Sequence, residues 1–168
     1  FDHSGELDVF IAAEVEKSLD GKQFLAKRAG SYVILDPFNR KTTAKDLTAS
    51  VLETEAPTIS PPGAFNNELG LPLTVLSADH ATEYLVLEMG ARGPGHIDYL
   101  CSVAPPSIGV ELAVGTAHVS EFGTQKAIAA AKAELVRALP ESGRAVLNVD
   151  DPLVRAMADD TVAPVTWF

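Results

Sequence analysis

The sequence predicts an α/β fold, in which a mostly parallel β-sheet carries helices on both faces. Short apolar runs of strand length alternate with longer segments whose apolar residues recur at helical spacing. Glycine, proline and aspartate separate these segments along the 168-residue chain. Strands and helices that alternate in this order form βαβ units, whose strands are parallel and whose helices cover the sheet.

The composition is that of a globular domain with a substantial core. Hydrophobic residues make up 46% of the chain, and the formal net charge is −10 without a basic cluster. Nucleic acids and anionic membrane surfaces attract concentrated lysine and arginine, so we expect neither as a partner. The single cysteine, Cys101, excludes an intramolecular disulfide and a cysteine-rich metal site. We expect a cytoplasmic location without membrane insertion, because no apolar run reaches the length of a span and the N-terminus does not resemble a signal peptide.

The first part of the chain predicts two helices that precede the sheet. Apolar residues recur at helical spacing from Glu6 to Asp20, and Gly21 would end this helix. A second, shorter helix is predicted from Lys22 to Ala29. We therefore expect a helical leader over residues 1–30 and a sheet domain over residues 31–168.

From Tyr32 onward, the pattern predicts short strands separated by helices. The predicted strands are Tyr32–Leu35, Thr58–Ile59, Tyr84–Glu88, Ser107–Val114, Arg144–Val149 and Val162–Trp167. The predicted helices are Lys41–Glu53, Pro72–Leu76, His96–Val103, one that Thr124 caps and that ends before Pro140, and one that Asp150 or Asp151 caps and that contains Pro152. Polar caps and proline in the first turn are typical of helix starts.

A strand, a tight loop and a Lys-Thr pair open the sheet domain. This is the layout of a phosphate-binding loop, in which backbone N–H groups and a helix N-terminus face the phosphates. The loop Asp36–Arg40 nevertheless reads DPFNR and lacks the glycines that let the backbone approach a phosphate. Pro37 has no N–H to donate, and Asp36 would repel an anion. The residues alone therefore favour an ordinary strand-to-helix connection.

Three side chains are candidates for chemistry at the carboxyl edge of the sheet. Glu88 ends an apolar strand, where a carboxylate can hold Mg²⁺ or cap a loop. His118 follows the strand Ser107–Val114 at the edge where α/β sheets bind ligands, although a solvated histidine is the alternative. Lys132 lies on an alanine-rich helix that can pack closely against a neighbour, or the lysine is simply solvated.

Two polar loops could contact a ligand or merely shape the chain. Asn66 and Asn67 stand in one turn before a helix, and paired amides serve either turn geometry or the binding of sugar and phosphate oxygens. Asn148 and Asp151 precede Pro152, and this segment fits a helix cap equally well. The sequence contains no recognisable Ser-His-Asp triad and no HExxH zinc helix.

Together, these segments resemble the central, ATP-binding domain of the Mur ligases. The motifs that carry the resemblance follow the family's order: PPGAFNNELGLPLTVL (Pro61–Leu76), YLVLEMGARGPGHI (Tyr84–Ile97), APPSIGVELAVGTAHVSEFG (Ala104–Gly123), AIAAAKAELV (Ala127–Val136) and AVLNVDDPLV (Ala145–Val154). The resemblance implies a P-loop NTPase-like fold, ATP and Mg²⁺ as cofactors, and an acyl-phosphate intermediate. The family member that the chain most resembles adds D-alanyl-D-alanine to UDP-N-acetylmuramoyl-tripeptide, so a UDP-N-acetylmuramoyl-peptide would be the second partner.

The resemblance also implies a role for each candidate residue. Phosphoryl transfer depends on positioning and on charge neutralisation, so metal ligands and lysines dominate such sites. Glu88 and His118 match the Mg²⁺ ligands, and Thr42 matches a hydroxyl that binds the same metal. Lys132 matches a catalytic lysine that these ligases carry as a carbamate, and it completes a catalytic set with Glu88 and His118. The ligand-contacting residues so implied are Lys41, Thr42, Asn148 and Asp151 for the nucleotide, and Asn66 and Asn67 for the substrate.

The chain departs from the family pattern at the phosphate loop. The family reads roughly TGSSGKT where Asp36–Thr42 reads DPFNRKT, and Ala64 and Ala113 replace a serine and an asparagine. The N- and C-terminal ligase domains are also missing, so we expect little activity from the chain alone and an unmodified Lys132 that is hydrogen-bonded or solvent-facing. Two hypotheses follow: the central domain of such a ligase, or a non-catalytic binding or assembly module that keeps the fold.

Overall fold

The structure, a computed structural model, describes residues 16–17, 24–28, 31–35, 44–63, 65–114 and 122–168. The chain divides into two compact units, one formed by Phe1–Phe65 with Leu69–Glu88 and the other by Asn66–Glu68 with Met89–Phe168. The loop Asn66–Glu68 thus belongs with the second unit, although the chain on either side of it belongs with the first. Each unit has its own helices and sheets.

The first unit begins with three antiparallel strands, β1 (Glu16–Lys17), β2 (Phe24–Arg28) and β3 (Ser31–Leu35). β2 and β3 pair along their whole length, from Phe24 opposite Leu35 to Arg28 opposite Ser31. Only two residues separate these strands in the sequence, and a two-residue connection that contains glycine is typical of a hairpin. The strand predicted at Tyr32–Leu35 is confirmed within β3.

The helical leader predicted for residues 1–30 is wrong wherever the structure describes that segment. Phe24–Arg28, inside the predicted helix Lys22–Ala29, is strand β2, and two residues of the predicted helix Glu6–Asp20 form β1. The segment Lys22–Ala29 is too short for its apolar spacing to distinguish a helix from a strand. Backbone pairing with β3, which the local pattern cannot show, decides the conformation. The remainder of the leader lies outside the described residues.

The rest of the first unit alternates helices and strands: α1 (Ala44–Leu52), β4 (Thr58–Ile59), α2 (Gly70–Val75) and β5 (Tyr84–Leu85). β4 and β5 are parallel, with Thr58 opposite Tyr84. The observed strand β5 is therefore shorter than the strand predicted at Tyr84–Glu88. Its partner β4 ends just before Pro61 and Pro62, and proline has no N–H with which to extend a ladder.

Lys45 fastens the loop after β4 to α1. Its side chain, only 4% exposed, forms an ion pair with Asp46 at 3.0 Å. The same amine donates to the carbonyl oxygens of Pro61 and Gly63. A buried ammonium is costly unless it is paired and hydrogen-bonded, and these acceptors meet that requirement. Lys45 thus holds the start of the loop that leads from β4 toward Asn66.

The second unit is a three-stranded parallel sheet with covering helices. Its elements are α3 (His96–Val103), β6 (Ile108–Glu111), α4 (Gln125–Arg137), β7 (Arg144–Leu147), α5 (Pro152–Ala156), a 3₁₀ helix (Met157–Asp160) and β8 (Val165–Trp167). The strands lie in the order β6-β7-β8. The predicted α/β fold with parallel strands is thus confirmed from β4 onward. The predicted helix His96–Val103 has the observed bounds.

The core of the second unit lies between this sheet and the helices α4 and α5. Its buried members are Val114, Ile128, Ala133, Val136, Leu139, Ala145, Leu147, Val154, Met157 and Ala163. Thr124 caps α4 by accepting from the backbone N–H of Ala127 at 3.1 Å, as predicted. Within the described ranges, none of the helices combines the length and the apolar character that crossing a bilayer requires.

A second cap joins two helices of this unit. The carboxylate of Glu134 on α4 accepts from the backbone N–H groups of Gly95 at 2.6 Å and of Asp98 at 3.0 Å. These donors belong to the first turn of α3, where N–H groups lack helical partners. Gly95 itself has a φ of 80°, a left-handed conformation that favours glycine.

Candidate active site

The last residue of β6 and a residue in the middle of α4 form a partly buried ion pair. Lys132 Nζ donates to Glu111 Oε2 at 2.8 Å, with the lysine side chain 30% exposed and the glutamate side chain 7% exposed. Burial raises the pKa of Glu111, and the neighbouring ammonium partly offsets that rise. The predicted catalytic lysine therefore has a carboxylate in direct contact.

Close packing of β6 against α4 brings these two side chains together. Gly109 and Glu111 are two residues apart on the strand, so they point to the same face of the sheet. A Cβ at Gly109 would lie 3.2 Å from side-chain atoms of both Leu135 and Leu139, so the absence of a side chain lets α4 lie close. Lys132 is one turn from Leu135 on that helix and reaches Glu111.

Sequence reasoning missed Glu111, although the sequence carries a signal for it. Glu111 is the one ionisable residue in the apolar run Ile108–Val114. Charged side chains are almost never fully buried unless they are paired. A carboxylate in such a strand therefore predicts a cation on the helix that packs against the strand. Lys132 lies in the middle of the next helix and is that cation.

Asp151 ties the start of α5 to the segment that follows β6. Its Oδ1 accepts from the backbone N–H groups of Leu153 and Val154 at 2.9 and 3.2 Å, and its Oδ2 accepts from that of Val114 at 2.7 Å. Burial acts to raise the pKa of Asp151, but the backbone donors, helped by the charge of Lys132, lower it. The predicted helix cap is thus confirmed at Asp151, and its contact with a nucleotide stays a prediction.

Replacing Asp151 by asparagine is expected to lower the free energy of unfolding by about 1 to 2 kcal/mol at neutral pH, because an amide cannot accept from Val114 while it caps the helix. The pKa of Asp151 is lower in the folded than in the unfolded chain. Its stabilisation is therefore complete above the unfolded pKa of about 4 and is lost as the pH falls through the folded pKa. Urea unfolding at neutral and at strongly acidic pH should show a deficit that shrinks in acid. Asp150→Asn, at the neighbouring exposed carboxylate, should show no such deficit.

An open depression of about 450 Å³ lies beside Asp151. Its lining residues are Ala113, Gln125, Asn148, Asp150, Asp151, Pro152 and Leu153. Asn148 donates to the carbonyl of Leu112 at 2.8 Å and accepts from the N–H of Asp150 at 2.9 Å. This fixes the orientation of its side-chain amide and leaves one amide hydrogen for a ligand. The structure therefore brings together Asn148 and Asp151, two of the residues predicted to contact the nucleotide.

The loop Asn66–Glu68 is held by the segment that follows Met89. The backbone N–H of Gly90 donates to the carbonyl of Asn66 at 2.8 Å. A Cβ at Gly90 would lie 3.1 Å from the side chain of Asn66, a tight contact that the glycine avoids. His96 Nε2 lies 3.3 Å from the carboxylate of Glu68 and fastens the other end of the loop. Asn66 and Asn67 are partly buried, and their contact with a substrate stays a prediction.

Of the predicted metal ligands, the structure describes Glu88. Thr42 and His118 lie outside the described residues, as does Lys41 of the predicted phosphate loop. Glu88 is partly buried and follows the end of β5 in the first unit, whereas Lys132 belongs to the second. Among the described residues, no three His, Cys, Asp or Glu side chains lie close enough together to hold a metal ion. The magnesium site therefore stays a prediction.

Comparison with known proteins decides the family. A family model described as the Mur ligase middle domain matches residues 39–167. The chain belongs to this family. The resemblance drawn from the sequence motifs is thereby confirmed, and the matched residues lie within the predicted domain 31–168.

Three relatives of this Mur ligase middle domain are ligases of one type. The UDP-N-acetylmuramoyl-tripeptide--D-alanyl-D-alanine ligase of Mycobacterium leprae is 58% identical over 125 residues, which are 74% of this chain and 24% of that protein. The crystal structure of MurF from Acinetobacter baumannii matches with a TM-score of 0.72 at 33% identity, over 76% of this chain and 28% of that one. MurF ligase from Thermotoga maritima, solved in complex with ADP, matches with a TM-score of 0.69 at 37% identity, over 78% and 30% of the two chains. The chain thus spans about a quarter of the curated relative's length.

Proposed function

We propose that this Mur ligase middle domain is the ATP-binding part of a ligase that adds D-alanyl-D-alanine to UDP-N-acetylmuramoyl-tripeptide in peptidoglycan synthesis. The observation that carries the proposal is the 58% identity with the Mycobacterium leprae ligase over 125 residues. ATP phosphorylates the peptide carboxylate to an acyl phosphate, and the amine of D-alanyl-D-alanine then displaces phosphate. The chain covers about a quarter of that ligase, so the groups that hold the UDP-sugar and the amine would come from the rest of such a protein. A cytoplasmic location is part of the proposal, since the reaction consumes ATP.

The depression beside Asp151 supports a nucleotide site in the second unit. Asn148 offers a fixed amide hydrogen, and the ionised carboxylate of Asp151 retains acceptor capacity for a ribose or a base. Gln125, whose side-chain amide donates to the carbonyl of Val114 at 2.9 Å, closes another side of the depression. The ADP in the Thermotoga maritima ligase agrees with a nucleotide ligand. Lys41 and Thr42 would contact its phosphates.

Magnesium is the metal that suits the proposed donor set. Glu88 and Thr42 offer oxygen ligands, which Mg²⁺ prefers, and His118 would complete the set. Bound there, the ion would neutralise charge on the phosphates during transfer. Lys132 is held in place by Glu111, so it would present a positioned ammonium to the reaction rather than a mobile one.

A second candidate function is a non-catalytic binding or assembly module. The observation that favours it is the loop Asp36–Arg40, which contains no glycine. The match to the family model begins at residue 39 and so leaves out the first part of this loop. A module of this kind would keep the fold and the depression but would not hold the phosphates.

Millimolar Mg-ATP is expected to raise the melting temperature of the chain only slightly, because stabilisation by a ligand follows RT ln(1 + [L]/Kd) and the altered loop should weaken binding. Introducing Pro37→Gly and Arg40→Gly together should enlarge the shift, since glycines let backbone N–H groups approach the phosphates. Differential scanning fluorimetry with and without the nucleotide measures both. No enlargement in the glycine variant would argue for the module, and a large shift in the unaltered chain would show that the loop binds ATP as it stands.

A further inference from the structure

The loop that carries Asn66 and Asn67 is connected to α4 through the first turn of α3. The loop, α3 and α4 all belong to the second unit, although the loop lies far from α4 in the sequence. Lys132 lies on the same helix α4. Two contacts between side chains of this unit therefore lead from the helix of the proposed catalytic lysine to the loop of the proposed substrate contacts.

The first contact is made by Glu134, two residues after Lys132 on α4. Its Oε1 accepts from the backbone N–H of Gly95 at 2.6 Å, and its Oε2 accepts from that of Asp98 at 3.0 Å. These two donors stand on either side of His96 in the sequence. The N–H groups of a first helical turn lack helical partners, and a charged acceptor binds them more strongly than a neutral one. Glu134 therefore fastens to α4 the turn of backbone that carries His96.

The second contact joins His96 to Glu68, the last residue of the loop. His96 Nε2 lies 3.3 Å from Glu68 Oε2, and the histidine side chain is only 18% exposed. Its Nδ1 is buried without a hydrogen-bond partner among the described residues, so Nε2 is the ring nitrogen that holds the loop. Arg92 Nη1 lies 3.8 Å from the other oxygen of Glu68, but its side chain is 60% exposed and such surface pairs contribute little. His96 is thus the main contact between α3 and Glu68.

The two ends of the loop are held in different ways. At Asn66, the carbonyl oxygen accepts from the backbone N–H of Gly90 at 2.8 Å. This contact consists of backbone atoms, which a substitution does not remove. At Glu68, the attachment depends on side chains, those of Glu68 and His96 directly and that of Glu134 through the turn. Asn67 lies between these two fixed ends.

We propose that Glu134 is a positioning residue for the acyl substrate, because it holds the turn of α3 whose His96 fixes the loop Asn66–Glu68 relative to Lys132 on its own helix. The inference rests on the proposed function, since it takes Asn66 and Asn67 as contacts of the UDP-N-acetylmuramoyl-tripeptide. Transfer of a phosphoryl group requires close alignment, and a misplacement of about 1 Å can cost about a hundredfold in rate. One helix that carries the lysine and also fixes the loop would maintain that alignment.

Hydrogen exchange on the chain alone tests whether Glu134 holds the loop. Glu134→Gln keeps the size of the side chain but leaves one of the two N–H groups of α3 without an acceptor. The Gly90 amide, which donates to Asn66, should exchange about fivefold faster, as expected for the loss of one helix cap. Amides of β7 should be unaffected, and the control Glu141→Gln, at an exposed carboxylate, should change neither. Unchanged exchange of the Gly90 amide in Glu134→Gln would overturn the inference.

Kinetics in a whole ligase separate positioning of the substrate from general stability. Residues 44–167 replace the aligned segment of the Mycobacterium leprae ligase, and phosphate release is measured. In Glu134→Gln, the KM for the UDP-N-acetylmuramoyl-tripeptide should rise about fivefold, again by the loss of one cap, while the KM for ATP stays the same. An unchanged KM for the tripeptide, or an equal rise in both constants, would contradict the inference. An inactive unaltered chimera would instead contradict the proposed function, and hydrogen exchange would still decide whether Glu134 holds the loop.

Glu68→Gln tests whether Glu134 acts through the loop. Because both carboxylates act through the turn that carries His96, Glu68→Gln should raise the same KM. The double variant should raise it no further than the more affected single variant, since the two changes interrupt one series of contacts. Independent, multiplying effects on the KM would show that Glu134 acts elsewhere and would overturn the inference.

Discussion

Replacing Lys132 by methionine is expected to lower the free energy of unfolding by about 3 kcal/mol at neutral pH, because it leaves a buried carboxylate without its cation. Methionine keeps the length and the apolar contacts of the lysine stem, so the change removes mainly the charge. Lys126→Met on the same helix is the matched control, since this lysine is exposed. Equal urea-unfolding midpoints for the two variants would show that the pair contributes nothing to stability.

A double-mutant cycle isolates the pair from the rest of α4. Adding Glu111→Leu to Lys132→Met removes the unpaired carboxylate, so the double variant should recover most of the lost stability. The coupling energy should be clearly different from zero, because the two side chains are 2.8 Å apart. Simple additivity of the two single changes would mean that each side chain acts through separate contacts.

The deficit of Lys132→Met should depend on pH in a definite direction. Burial raises the pKa of Glu111 in the folded chain, and removing the lysine raises it further. A carboxyl with a raised folded pKa contributes most to stability below its unfolded pKa, and that contribution is lost as the pH rises through the folded pKa. The deficit should therefore be largest at neutral pH and shrink in acid, where Glu111 is protonated.

Local chemistry in the sequence was enough to predict the caps of α4 and α5 and the bounds of α3. Thr124 and Asp151 cap α4 and α5 as expected, because a cap needs only a side-chain oxygen and the N–H groups two or three residues later. The bounds of α3 follow from Gly95 and the apolar spacing within His96–Val103. Such features depend on residues a few positions apart, so a pattern along the chain contains them.

Features that depend on contacts between residues far apart in the sequence could not be predicted from the local sequence pattern. The segment Phe24–Arg28 is a strand because β3 pairs with it, and Glu88 lies beyond its strand because the prolines after β4 end the ladder. The ion pair between Glu111 and Lys132 depends on how α4 lies against β6, which Gly109 permits. The motifs identified Lys132 without revealing the carboxylate that pairs with it.

A chimeric ligase tests whether this chain is the middle domain of a D-alanyl-D-alanine-adding ligase. Residues 44–167 replace the aligned segment of the Mycobacterium leprae ligase, so the host keeps its own sequence up to α1. A Glu88→Gln chimera serves as the control and should lose about a hundredfold in rate, because Glu88 is a proposed ligand of the metal, which would supply several kcal/mol of charge stabilisation.

The measurement is phosphate release that requires ATP, the UDP-N-acetylmuramoyl-tripeptide and D-alanyl-D-alanine together. We expect the chimera to release phosphate only when all three are present, and the Glu88→Gln chimera to do so far more slowly. A folded chimera that binds ADP but releases no phosphate under these conditions would contradict the ligase assignment and leave the binding module as the function of this domain.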